Sequence, residues 1–266
     1  MIHLPSHKTY QLGAGFRYSP YGPAYNPGAE YWAGVGKEMA LRFPMAKPEA
    51  IWIVSRLEGE GTLLTFPDER KLPNISFSHD DENESALNLF DQLNFHIWLQ
   101  VEPGKAQVGT LFDLILERYA HHPCVVGVGV DIEWHYSEEK AQGSPVSDDE
   151  ASRWLSAARA YKQSYRLFLK HWETSMIPIQ QWEGMLFVDD SQMFSSMDDM
   201  MLEFADWGQH FSPAPVAFQI GYPADKPWWG EFSDPAKTIG DALLARIPNT
   251  SGLFWVDFTA LEVFPP

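Results

Sequence analysis

Two carboxylates, Asp131 and Glu133, close the run from Val125 to His135, VVGVGVDIEWH. Read with a period of two, Val126, Val128, Val130 and Ile132 fall on one side of a strand, and Gly127, Gly129, Asp131 and Glu133 on the other. The acids are confined to the end of the pleat and the glycines leave volume behind them. This predicts a strand buried on both faces whose charged end opens into a cleft. In an extended chain the two Cα atoms stand about 6.6–7 Å apart with both side chains pointing the same way. A convergent carboxyl pair is the usual equipment for hydrolysing a glycosidic bond. Glu133, at the mouth of an apolar strand with a like charge beside it, is expected to keep its proton to higher pH and act as general acid. Asp131 is expected to stay ionised, orienting a substrate group or stabilising oxocarbenium-like charge.

Positioning these acids takes a repeated alternation of strand and helix. Apolar patterning predicts strands over 10–18, 50–57, 95–101, 125–135, 165–172, 185–190, 216–222 and 252–259. Helices are expected over 29–43, 80–93, 108–120, 147–163, 197–211 and 234–246, with Ser147 and Glu150 as a capping box and Asp234 before Pro235 as a helix start. The Pro- and Gly-punctuated segment 58–79 is expected to be an irregular loop over the active face. Together these elements predict a single (β/α)8 TIM barrel over 1–266, with a doubly wound sheet as the alternative. No glycine-rich phosphate loop stands at a strand-to-helix junction to support the latter.

In a barrel the strand ends supply Arg17, Arg56, Glu102, Asp131 with Glu133, His171, Asp189 with Asp190, Gln219 with Tyr222, and Trp255 with Asp257, all at the active face. Asp189 and Tyr222 are candidate helpers at the developing charge, and Arg17, Glu102, Gln219 and Asp257 candidate substrate contacts. Trp98 and Trp255 are either sugar platforms or core aromatics, whereas Trp228 and Trp229, adjacent in KPWWG, are expected to stack on sugar or form a lid.

The run ending in Asp131 and Glu133 resembles the DxxDxDxE signature of the family-18 chitinase type of glycoside hydrolase. Its last two acids match Asp131 and Glu133, while Val126 and Gly129 stand where that family has Asp. GLFWVDFT at 252–259 is similar to the family's eighth strand, which would make Trp255 the floor under the scissile sugar. DIEW followed by a long loop also resembles the family-25 lysozymes, which use DxE on the fourth strand of a related barrel. The resemblance implies a retaining hydrolase of an N-acetylhexosamine-containing or related glycan, with Glu133 as acid and Asp131 positioning the acetamido group.

Composition narrows the partners. The 19 basic against 36 acidic residues give a formal charge of −17, which repels phosphate backbones and anionic membrane surfaces, so no nucleic acid is expected. Neither an apolar window of about 20 residues nor a basic, apolar leader is present, so a soluble chain is expected, either cytoplasmic or secreted with its leader removed. A lone cysteine, Cys124, reads as a buried inert thiol. The histidines show no recognised metal spacing, so neither metal nor other cofactor is expected, although Glu102, His171, Asp189 and Asp190 could converge on a divalent ion. Two alternatives to hydrolysis remain: a non-catalytic carbohydrate-binding barrel, and a metal-assisted sugar isomerase or hydrolase. For the acid pair itself, the competing reading is a structural one, in which Arg17, Arg56 or Lys170 holds the carboxylates for barrel stability.

Overall fold

The computed structural model describes residues 10–137, 141–180 and 183–266. The amino-terminal lead and residues 138–140 of the acidic loop therefore lie outside the described residues. Eight parallel strands close a barrel: β1 (Gly13–Tyr18), β2 (Lys47–Ile53), β3 (His96–Val101), β4 (Val125–Asp131), β5 (Arg166–Lys170), β6 (Met185–Asp189), β7 (Val216–Ile220) and β8 (Thr250–Val256). Each pairs with its neighbours in chain order, and β8 closes on β1. The helices α1 (Ala29–Leu41), α2 (Glu84–Gln92), α3 (Val108–Tyr119), α4 (Asp148–Tyr161), α5 (Met197–Phe211), α6 (Lys226–Trp229), α7 (Pro235–Arg246) and α8 (Ala260–Val263) follow their strands. This is the (β/α)8 architecture, with one departure. Between β5 and β6 the described residues form only a single 3₁₀ turn, Thr174–Met176. No helix among the described residues is long and apolar enough to cross a membrane.

Local chemistry accounts for the boundaries. At the start of α4, Ser147 Oγ accepts the Glu150 N–H at 3.3 Å and Glu150 Oε2 accepts the Ser147 N–H at 3.0 Å, a reciprocal capping box. At α7 the Asp234 carboxylate accepts the Lys237 N–H ahead of Pro235. The segment expected to be irregular is instead organised. Ser55–Glu58, Gly61–Leu64 and Ile75–Phe77 form a three-stranded sheet beside the C-terminal end of β3. Its first two strands are joined by a tight turn through Glu60, with Gly59 at φ 57°, a conformation glycine adopts without a Cβ clash.

Strand alternation sorts side chains into two layers. Ile51, Trp98, Phe168, Leu186, Val188, Ala217 and Phe254 fill the lumen, while a larger set including Phe16, Val128, Val130 and Trp255 packs between strands and helices. On β4 this puts Val128, Val130 and Ile132 outside and Gly127, Gly129 and Asp131 inside. Val126 breaks the pattern: the β3–β4 ladder steps from Val125 to Gly127 across a bulge, and Val126 packs on the lumen cluster.

The glycines of β4 do not leave the lumen open. A Cβ on Gly127 would lie 2.7 Å from the Trp98 ring, and one on Gly129 would lie 2.0 Å from the Phe168 ring. Small residues on one strand therefore accommodate large rings from its neighbours, as a packed barrel requires. Phe168 is itself held edge-on to Trp98 at 5.7 Å, so it has little room to yield. Gly129→Ala is expected to destabilise the fold by about 1–3 kcal/mol through overpacking, read as a lower urea midpoint; an unchanged midpoint would show that the ring moves freely.

Candidate active site

The C-terminal mouth of the barrel gathers charge on every side. β1 contributes Arg17, β4 ends in Asp131 and β5 ends in Lys170; Glu102, Asp190 and Asp257 follow β3, β6 and β8. Lys170 joins three of these strands. Its Nζ lies 2.7 Å from Asp131 Oδ2 and 2.5 Å from Asp190 Oδ2, with all three side chains buried. Gln100 Nε2 approaches the same Asp131 oxygen at 3.4 Å. A second pair closes the opposite side: Arg17 Nη1 lies 2.9 Å from Asp257 Oδ1, and Asp257 Oδ2 accepts both the N–H and the hydroxyl of Ser19. Between them, the Tyr222 hydroxyl donates to Gln219 Oε1 at 2.9 Å. Gly221, at φ 88°, provides the turn that brings Tyr222 back over the lumen; a Cβ there would strike the Trp255 ring at 2.2 Å. Glu102 is anchored by its backbone to Ser55 Oγ and by its carboxyl to the Tyr21 hydroxyl, 2.5 Å away.

Glu133 differs from its neighbours. The strand ends at Asp131, and Ile132–Trp134 turn as a 3₁₀ element, so the two acids are not successive inward positions of one strand. The turn leaves Glu133 half-buried with no ion pair or hydrogen bond among the described residues. Burial, with the Asp131 charge second, raises its pKa to about 7. Asp131 is also raised, to about 6, because complete burial outweighs the pull of Lys170. Glu102 rises to about 8, again by burial first and by Asp131 second. The Lys170 ammonium, by contrast, is held charged well beyond its usual range by Asp131 and Asp190.

Five carboxyl groups thus face two cations, and raised pKa values for Glu102 and Glu133 relieve the excess negative charge. Near neutral pH the arrangement combines a proton on Glu133 with an ionised Asp131 beside it. Several buried polar atoms around this mouth have no hydrogen-bond partner among the described residues: Gln100 Oε1, Asp131 Oδ1, Asp190 Oδ1, Gln219 Nε2 and Arg17 Nε. All of them are buried, so they make the layer beneath the mouth polar without lining its surface.

Several sequence expectations are corrected by placement. Trp255 points away from the lumen: it is fully buried against Trp229 at 5.4 Å and Phe264 at 6.2 Å, with its Nε1–H donated to Thr259 Oγ1. It cannot serve as a floor for a sugar, because Phe254, not Trp255, has the inward parity on β8. Trp98 does face inward but lies deep, its Nε1–H bonded to Glu49 Oε1 at 2.6 Å below the Phe168 layer. Trp229 is buried and donates to the Tyr222 carbonyl, and Trp228 packs on Phe232, so the adjacent indoles belong mainly to packing around α6. Asp189 faces the helices, where its Oδ1 accepts the Ser191 N–H; Asp190 takes the lumen position. Arg56 pairs outward with Glu82.

Other features went unread in the sequence. Phe258, 40% exposed, sits under the Arg17 guanidinium at 4.6 Å and 6.5 Å from Tyr222, and presents an aromatic surface at this rim. Its signal was its place beside Asp257 at the end of an apolar strand; parity does not reach it, because β8 stops at Val256 and Asp257–Thr259 turn as a 3₁₀ element. Tyr21 had no such signal, because it lies in a Pro/Gly loop and reaches Glu102 only through the fold. The acids and histidine that could have shared a metal do not converge. His171 is engaged at both nitrogens, by the Gln142 carbonyl and the Glu173 N–H, and Asp189 lies in the outer layer.

No protein-family model and no curated protein sequence matches this chain. Solved structures do. One is a candidate alpha-L-fucosidase from Bacteroides thetaiotaomicron, with a TM-score of 0.58 and 10% identity over 98% of this chain and 91% of that one. Another is a beta-glucuronidase from an uncultured Clostridium sp., with a TM-score of 0.50 and 11% identity over 93% of this chain and 43% of that one. At these identities the likeness is one of fold.

Proposed function

We propose that this barrel is a glycoside hydrolase of an N-acetylhexosamine-containing or related glycan, with Glu133 as proton donor and Asp131 as its ionised partner. The observation that carries the reading is the half-buried Glu133 carboxyl, unpaired among the described residues and raised to about 7 beside a carboxylate raised only to about 6. Two like groups with separated pKa values are the pattern of an acid and a stabilising base. Glu133 would protonate the glycosidic oxygen as the C1–O bond breaks; the ionised Asp131 would stabilise the developing positive charge or orient an acetamido group. In its deprotonated form Glu133 would then take a proton from the incoming water, which restores the starting state. The likeness in fold to a candidate fucosidase and a glucuronidase is compatible with this chemistry, although a barrel hosts many reactions.

One observation favours a non-catalytic sugar-binding barrel: Asp131 is tied to Lys170 at 2.7 Å, which limits its freedom to act. A panel of 4-nitrophenyl glycosides separates the two. Hydrolysis predicts release of nitrophenol with a bell-shaped pH dependence, highest between about 6 and 7, where Asp131 is ionised and Glu133 is still protonated. Thermal stabilisation by oligosaccharides with no release from any glycoside would support binding alone.

A further inference from the structure

Away from the barrel mouth, the turn between α3 and β4 lays His121 and His122 against Glu84, the first residue of α2. We propose that Glu84, His121 and His122 form a binding site for a divalent transition metal of the zinc class, which ties α2 to the turn leading into β4. His122 is buried, and each of its ring nitrogens faces a carboxylate: Nδ1 lies 2.6 Å from Asp91 Oδ2 and Nε2 lies 3.3 Å from Glu84 Oε2. A neutral imidazole carries a single N–H. With that hydrogen donated to Asp91, Nε2 turns a lone pair toward the Glu84 carboxylate, an arrangement that calls for a cation between them.

His121 supplies the third ligand. Its Nε2 lies 3.6 Å from Glu84 Oε1, and its ring lies 4.0 Å from that of His122. Metal–ligand bonds of about 2.0–2.1 Å in a tetrahedral zinc site put neighbouring ligand atoms about 3.3–3.4 Å apart; each histidine nitrogen stands 3.3 or 3.6 Å from its nearer Glu84 oxygen, and one ligand atom from each residue can be chosen so that all three lie within 4.8 Å of one another. Asp91 behaves as the carboxylate that orients a ligating histidine: it is fixed by the Cys124 N–H at 2.8 Å and stands seven residues after Glu84 on the same helix. Glu84 and His121 are partly exposed, which leaves the fourth position to water. A histidine pair with a distant glutamate has no local spacing motif, so only the fold brings these ligands together. The competing occupant is a proton, with an imidazolium bridging Glu84 and Asp91.

Untagged protein, stripped with EDTA and dialysed, would be titrated with Co(II) and then with Zn(II). The proposal predicts a visible ligand-field spectrum saturating at one equivalent of Co(II), its displacement by Zn(II), and a rise in melting temperature with either metal. His121→Ala, at an exposed position, and Glu84→Gln should each weaken binding at least about tenfold with the circular dichroism unchanged, and Asp91→Asn about 10–100-fold. Absence of the spectrum, or a spectrum and thermal shift untouched by both ligand variants, would overturn the site in favour of the imidazolium.

Discussion

Replacing Glu133 by Gln is expected to lower turnover about 10²–10⁴-fold, the usual contribution of a positioned general acid. The loss should be larger for glycosides with a poor leaving group than for 4-nitrophenyl glycosides, whose leaving oxygen needs less protonation. Folding and sugar binding should survive. Glu133 forms no ion pair or hydrogen bond among the described residues, and Gln preserves its shape, so neither the melting temperature nor its rise with oligosaccharide should change much. Unchanged turnover in this variant would remove Glu133 from the mechanism and return the carboxylates at this mouth to a structural or binding role.

Lys170→Met should have the largest effect on stability. Among the described residues Lys170 is the one cation that touches both Asp131 and Asp190, and all three groups are buried. Removing one member of such a cluster leaves buried negative charge uncompensated, at a cost of about 3–5 kcal/mol. The sign of the pH dependence follows from proton linkage. Without Lys170 the folded-state pKa of Asp131 rises further above its unfolded value, so the folded state binds a proton the unfolded state has lost. Stability is then fully present below the unfolded carboxylate pKa and is lost as pH rises through the folded one. The variant should therefore fall furthest behind wild type at neutral and alkaline pH and recover part of the difference toward pH 5. Urea unfolding at several pH values measures this, and a uniform small loss would show that the cluster is open to solvent.

How the residues of β4 and β8 were placed shows where alternation is sufficient and where it fails. Gly127, Gly129 and Asp131 follow strict parity into the lumen, because a pleated strand has no other way to distribute them. Val126 does not, because a bulge in the β3–β4 ladder shifts the phase, and nothing in VVGVGV marks that step. The same parity rule applied to GLFWVDFT directs Phe254 inward and Trp255 outward, and the structure follows the rule; the chitinase-like reading of Trp255 overrode it. In MLFVDD both faces are apolar, so no contrast told Asp189 from Asp190. That choice depends on the closed barrel, whose lumen position at this strand end lies across from Lys170.

The glycines teach a related lesson. Read alone, two glycines on one face suggest empty volume, but their space belongs to Trp98 and Phe168 of the adjacent strands. This also bears on the missing acid of the DxxDxDxE pattern, since a carboxylate at Gly129 could not fit beside the Phe168 ring as it stands. The polar layer begins one step higher, at Asp131, and the bottom of the lumen is a packed plug carrying Trp98 on Glu49 and Arg166. Segment 58–79 was unreadable for a different reason. The three strands that organise it, the first beginning at Ser55, are only three or four residues long, and they are held by contacts with the β3 end and the loop beyond it, such as the Val54 N–H on the Gln100 carbonyl and the Lys105 N–H on the Glu60 carbonyl.

The most direct test of the division of labour between Asp131 and Glu133 is kcat/KM against pH for wild type and Glu133→Gln on one activated aryl glycoside. Wild type should rise through an acid limb near 6, as Asp131 ionises, and fall through an alkaline limb near 7, as Glu133 loses its proton. The variant should keep the acid limb near 6, because Glu133 is already neutral where Asp131 ionises, and lose the alkaline one. An alkaline limb that persists unchanged in Glu133→Gln would contradict the assignment and place the essential proton on another group.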